Sequence, residues 1–337
     1  MLKIGIVGGG RIGKVHCKSI SYYVPGAEVK TIADPLKNKE LEQFADELGV
    51  KHVTKDYRDI INDPEIDIVL VCSSTDTHAQ ISIEAARAGK HVFCEKPVDH
   101  DADKIREVIK VVEESGVKFQ VGFNRRFDSN FKAVKDAIME GKIGSPQIIR
   151  ITSRDPEAPP VSYVKVSGGM FLDMTIHDFD MVRFLSGSEA DEVYAAGAVL
   201  IDPAIGEAGD VDTAVITIKM KDGTLATIDN SRKAVYGYDQ RAEVFGSKGS
   251  VSISNNTSST TVISDENGVH QEKPLYFFLE RYMESFSSEM RAFIEAVKND
   301  TDTPVGAADG LAPVLIGMAA KKSMQENRPV KLSEIEL

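Results

Sequence analysis

Apolar residues first gather in short, nearly unbroken runs, with stretches of helical period between them. Lys3–Val7, Val29–Ala33, Ile66–Ser73, His91–Glu95 and Lys118–Gly122 read as strands. Runs this continuous suit parallel strands buried on both faces. Gly13–Tyr23, Asn38–Leu48, Thr77–Ala88 and Asp101–Glu114 read as the helices between them. The alternation predicts an open, doubly wound α/β sheet over residues 1–122.

After Gly122 the rhythm changes. Asp128–Glu140 reads as a helix, Ile148–Ser153 as a strand and Gly169–Leu185 as a helix. Six closely spaced strand patterns follow: Glu192–Leu200, Thr213–Met220, Leu225–Asn230, Arg241–Phe245, Ser250–Ser254 and Thr260–Ser264. Turn residues such as Lys221-Asp222-Gly223 separate them, as in a meander. Leu279–Lys298 and Ala307–Gln325 close the chain as helical patterns. Residues 123–337 are therefore expected to form an α+β domain with a large, mostly antiparallel open sheet. Its C-terminal segment is free to pack back on the first domain. Helices on one face of such a sheet leave the other for solvent or another subunit, and apolar residues on both faces favour an oligomer.

Composition narrows the class. A length of 337 residues suits two domains. Lys plus Arg number 40 and Asp plus Glu 52, a net charge of −12, which disfavours nucleic acid and anionic membrane as partners. No apolar stretch approaches a membrane span of about 20 residues. The N-terminus opens directly into a strand pattern without a basic leader. Cys17, Cys72 and Cys94 form no metal or disulfide pattern, so no metal is expected, and free thiols suit a reducing cytoplasm.

The chemistry begins at the first turn. Gly8, Gly10 and Gly13 form G-x-G-x-x-G between a buried strand and a helix, the context that this pattern needs. Gly8 permits the tight turn, Gly10 a close approach of pyrophosphate, and Gly13 close helix–strand packing. Arg11 and Ile12 lie in the same phosphate-facing turn. Asp34 ends the next strand, 21 residues after Gly13, where an acid accepts both hydroxyls of the adenosine ribose. It also repels a 2′-phosphate, so NAD is the expected cofactor of a Rossmann sheet. Ser74 and Thr75 follow the strand at Ile66–Ser73 and are placed beside the dinucleotide. His78 joins them, though packing or capping suits it better than catalysis.

Glu95-Lys96-Pro97 ends a further strand and points a lysine at the nicotinamide end. In the second domain stands Gly168-Gly169-Met170-Phe171-Leu172-Asp173-Met174-Thr175-Ile176-His177-Asp178. Asp173 and His177 are four apart, on one face of the expected helix. A carboxylate there can orient an imidazole whose pKa suits removal of an alcohol proton. Lys96 can hydrogen-bond the same oxygen.

Together with Gly122-Phe123-Asn124-Arg125-Arg126-Phe127 and Ser231-Arg232-Lys233-Ala234-Val235-Tyr236, these motifs resemble the glucose–fructose oxidoreductase / inositol dehydrogenase family, along essentially the whole chain. The resemblance implies oxidation of a secondary alcohol of a cyclic polyol by NAD, with Lys96, Asp173 and His177 as the catalytic set. It implies a cofactor-contacting Glu95-Lys96, with a cis bond before Pro97, and a homotetramer. Arg126, Asp155, Thr175, Asp178 and Tyr236 match substrate-pocket positions of the inositol branch. Myo-inositol, giving its 2-keto product, is the expected substrate. Another inositol isomer or a sugar such as glucose stays open, as does a dinucleotide sensor without turnover.

Overall fold

The computed structural model describes residues 1–335, and the last two residues of the expected second domain lie outside the described residues. The chain divides into two compact units, 1–127 with 283–314 and 128–282 with Leu315 onward.

The first unit opens with β1 (Leu2–Val7), α1 (Arg11–Tyr23), β2 (Ala27–Ala33), α2 (Lys39–Glu47), β3 (His52–Thr54) and α3 (Arg58–Ile61). It continues through β4 (Ile68–Val71), α4 (Thr75–Arg87), β5 (His91–Cys94), α5 (Ala102–Ser115) and β6 (Phe119–Val121). The strands run parallel in the order β3-β2-β1-β4-β5-β6. The order reverses between β1 and β4, where a doubly wound sheet opens its ligand crevice. Ile4, Ile6, Ile32, Ile68, Leu70 and Phe93 form the core, and Met290, Phe293 and Ile294 of a later helix, Met283–Asn299, complete it. The first unit extends to Phe127, beyond the junction expected at 122. The reason is polar anchoring: Asn124 donates to Ser285 Oγ (3.0 Å), and Arg126 to Asp309 (3.0 Å).

The second unit holds α6 (Ser129–Met139), β7 (Pro146–Arg154), α7 (Val161–Val164), a π-helical turn (Met170–Met174), α8 (Ile176–Ser186), β8 (Ala190–Ala198) and α9 (Pro203–Glu207). Then come β9 (Thr213–Met220), β10 (Leu225–Ser231), β11 (Asp239–Gly246), β12 (Gly249–Ile253), β13 (Val262–Asp265) and β14 (Gly268–Gln271). After α10 (Phe278–Arg281) and α11, the helix 283–299 already described, α12 (Ala307–Glu326) and β15 (Val330–Lys331) end the fold.

The sheet order is β12-β11-β7-β10-β9-β8-β15. All neighbours are antiparallel except β7 and β10, which run parallel. The meander is thus interrupted: β7 inserts between β10 and β11. Along β9, Ala214, Ile216, Ile218 and Met220 are buried, whereas Val215, Thr217 and Lys219 are exposed. This alternation marks a sheet with one covered and one open face. The segment expected as the strand Thr260–Ser264 is instead half of a separate two-stranded hairpin, β13–β14.

Candidate active site

The glycines after β1 have distinct geometries. Gly8 has φ +104°, and a Cβ there would collide with the Cys72 carbonyl. A Cβ on Gly13 would strike the Gly8 carbonyl, so glycine lets α1 pack this closely. Gly10 differs, because its Cβ position meets nothing within 4 Å. It is the N-cap of α1, with no side-chain cap and no acid in the first turn. The helix therefore presents uncapped amides beside open space, which fits a pyrophosphate. Arg11 is exposed, and Ile12 rests its side chain on the core.

Asp34 follows β2. Its Oδ2 accepts from the Gly9 N–H and its Oδ1 from the Leu36 N–H, both at 2.7 Å. The carboxylate is thereby fixed against the glycine loop. Open space at Gly10, free helix amides and an oriented acid are together the features that a dinucleotide requires.

Ser74 is the N-cap of α4 but makes no side-chain cap, and Thr75 begins the helix. His78 is 2 % exposed. Its Nδ1 lies 2.8 Å from the Pro97 carbonyl and its Nε2 3.1 Å from the Ser73 carbonyl. Both ring nitrogens therefore face main-chain carbonyls. The ring ties α4 to the Glu95-Lys96-Pro97 turn, whose Lys96–Pro97 bond is cis. Lys96 is half-buried. The Glu95 carboxylate turns inward to His16 Nε2 at 2.6 Å. Arg126 faces Asp309 within the same unit.

In the second unit, Gly168 and Gly169 have φ +87° and +79°. Both oxygens of Asp210 accept the Met170 N–H, at 3.0 Å each. The expected helix Gly169–Leu185 starts instead as a π-helical turn, in which the Thr175 N–H reaches the Met170 carbonyl at 2.9 Å. Asp173 lies in that turn and His177 in the first turn of α8. The pair is still close in sequence, but the face argument for an unbroken α-helix does not apply to it.

Asp173 is held twice: Tyr163 OH donates to Oδ1 (2.9 Å) and Arg232 to Oδ2 (3.1 Å). Arg232 also donates to Asp155 at 3.3 Å. Burial works against the guanidinium's charge, yet Asp173 and Asp155 raise its pKa above the ordinary arginine value. Thr175 is fully buried and donates to Asn230 Oδ1 at 2.6 Å. The Asn230 amide in turn donates to Asp178 at 2.9 Å, and Asp178 is also fully buried. Thr175, Asn230 and Asp178 thus form one buried hydrogen-bonded chain. Tyr236 is exposed and donates to Asp239 at 2.5 Å. Burial and that acceptor raise the phenol's pKa.

The sequence reading passed over Arg232, Tyr163, Asn230 and Asp210. Among the described residues, no helix is long and apolar enough to cross a membrane.

Residues 2–123 match the family profile described as oxidoreductase family, NAD-binding Rossmann fold, and residues 131–252 match the GFO/IDH/MocA C-terminal domain. The chain is 49 % identical over 334 residues to a myo-inositol 2-dehydrogenase of Thermotoga maritima, covering 99 % of both chains. It is 45 % identical over 333 residues to an inositol 2-dehydrogenase of Rhizobium meliloti, covering 98 % of this chain and 99 % of that one. Its fold matches that of a scyllo-inositol dehydrogenase from Lactobacillus casei solved with NAD(H) and scyllo-inositol. That match has a TM-score of 0.92 and 34 % identity, over 99 % of both chains.

Proposed function

The chain belongs to the GFO/IDH/MocA oxidoreductase family, with an NAD-binding Rossmann domain, and from that premise we propose that it oxidises myo-inositol to 2-keto-myo-inositol. The end-to-end likeness to the two named inositol dehydrogenases carries the choice of substrate. When bound, NAD⁺ supplies the hydride acceptor.

Gly10, Arg11, Ile12 and Gly13 hold the pyrophosphate by main-chain amides at the start of α1, Gly8 shapes the turn that brings it there, and Asp34 takes the adenosine ribose. Ser74 and Thr75 line the same edge. His177 removes the hydroxyl proton as the carbinol hydrogen leaves. Lys96 hydrogen-bonds that oxygen and stabilises the negative charge developing on it. Asp173, fixed by Tyr163 and Arg232, orients the imidazole or the substrate. Asp155, Arg126 and Tyr236 select the ring hydroxyls. A site built to bond a given hydroxyl rejects its epimer strongly, because the group left behind is unpaired.

The test is the initial rate of NADH formation with myo-inositol, scyllo-inositol, chiro-inositol and glucose, using NAD⁺ or NADP⁺. Myo-inositol with NAD⁺ should give the highest kcat/KM, and Lys96→Ala should lose most of kcat. Faster turnover of scyllo-inositol would reassign the substrate. NAD⁺ binding without turnover of any of the four would remove the proposed reaction.

A further inference from the structure

Behind the Glu95-Lys96-Pro97 turn lies a buried polar cluster that the proposed reaction does not use. His16 on α1, Glu95 after β5 and Glu289 on α11 bring ligand-type atoms within 4.8 Å of one another, in the interior of the first unit. His16 and Glu289 are fully buried. His16 Nε2 meets Glu95 Oε1 at 2.6 Å. Phe93 and Phe286 stand edge-on to the imidazole, with ring centroids at 5.1 and 5.7 Å. The backbone makes room for this arrangement, since a Cβ on Gly122 would come within 2.9 Å of Glu95 Oε2. A glycine there keeps the Glu95 carboxylate turned inward.

We propose that His16 is a positioning residue for Lys96, holding the adjacent Glu95 inward, and that Glu289 is the neutral acid that lets this pair stay buried. The inference rests on the role given to Lys96 above. Lys96 follows Glu95 directly, and His78 fixes Pro97 on its other side. The turn is thus clamped at both flanks by buried histidines, so the lysine backbone between them has little freedom.

Among the described residues, neither Glu289 oxygen has a hydrogen-bond partner. An ionised carboxylate in that state costs far more than a neutral one. The titratable groups that face it are His16 on α1, Glu95 at the end of β5 and Cys72 after β4. Arg125, buried in the turn that packs on α11, does not bond either Glu289 oxygen. Burial, then the neighbouring Glu95 charge, raises the Glu289 pKa well above 4.5. The native state then keeps a proton that the unfolded chain has lost above about pH 4.5, so stability from this group falls as pH rises toward the native pKa.

The experiment has two arms on the full-length chain. In the first, His16→Gln and His16→Ala are compared with Lys96→Ala for kcat, for KM and for NAD⁺ affinity. Both His16 variants should lose about tenfold to a hundredfold in kcat, as a misplaced catalytic group does, with NAD⁺ affinity nearly unchanged. Unchanged kcat in a folded His16 variant overturns the positioning role. If Lys96→Ala itself keeps kcat, the failure belongs to the Lys96 assignment and the positioning role falls with it. In the second arm, Glu289→Gln and the wild type are unfolded thermally from pH 6 to 9. The wild type should lose Tm relative to Glu289→Gln as pH rises, and the variant should be the more stable at pH 9. Parallel curves overturn the neutral-acid assignment. So does one equivalent of divalent metal, measured by elemental analysis, that the wild type holds and Glu289→Gln lacks. This arm stands whether or not the His16 variants fold.

Discussion

The Arg232 side chain is 5 % exposed and sits between Asp155 and Asp173, which are 18 % and 12 % exposed. One planar cation thus orients two carboxylates, one of them assigned to catalysis. Removing a partner from such a group leaves uncompensated charge and costs about 3–5 kcal/mol. Arg232→Met should therefore destabilise the protein by about that amount and lower kcat/KM at least about a hundredfold. Lysine keeps the charge but lacks the fork that reaches both acids. Arg232→Lys should recover most of the stability and little of the activity. Urea unfolding and steady-state kinetics on both variants decide the matter, and a fully active Arg232→Lys would show that charge alone suffices.

At the level of elements, the π-helical turn depends on Gly169. Its φ of +79° and ψ of −174° lie in a region that only glycine enters readily, and a Cβ there would come within 2.8 Å of Asp210 Oδ1. Gly169→Ala should cost about 1–3 kcal/mol and displace the turn that carries Asp173. Denaturant midpoints and the KM for the polyol should both shift, with NAD⁺ affinity unchanged. A wild-type midpoint and KM would mean that the turn tolerates the methyl group. The same turn shows where sequence reading stops. β1, α1 and β2 are legible because buried parallel strands make unbroken apolar runs and the glycine spacing is local. The three-residue edge strand β3 and the single turn α3 are too short to stand out. The insertion of β7 beside β10 is invisible to periodicity, which carries no information about partners. In the site, Gly8, Gly10, Gly13 and Asp34 announce themselves by spacing. Arg232 meets Asp173 across 59 residues and Asn230 meets Thr175 across 55, so only the folded chain pairs them.

For the whole molecule, the question is what covers the open face of the second unit's sheet. Val215, Leu225 and Phe245 are 55 %, 46 % and 45 % exposed there. Arg150 and Glu243 pair on neighbouring strands at 2.9 Å, and Arg154 meets Asp229 at 2.6 Å. Apolar positions interleaved with both signs of charge suit a second copy of the same face, because a two-fold contact sets each patch against itself. The hairpin β13–β14 adds exposed Val262, Ile263 and Val269, and an isolated two-stranded hairpin is marginal in water. We propose that the chain assembles as a homotetramer through these surfaces. Light scattering after size exclusion should then give four times 36.8 kDa at micromolar concentration. Val215→Glu with Phe245→Glu should shift the mass downward while NAD⁺ binding persists, since neither residue belongs to the nucleotide-binding unit. Salt separates the two contributions to the contact. At about 1 M the Debye length shrinks to ~3 Å, so an assembly held by the exposed ion pairs dissociates and one held by apolar burial persists. Persistence is the expected result, because exposed pairs contribute little while each buried large apolar side chain contributes about 1.5–3 kcal/mol. A monomer in low salt would leave the face to solvent and end the assembly proposal.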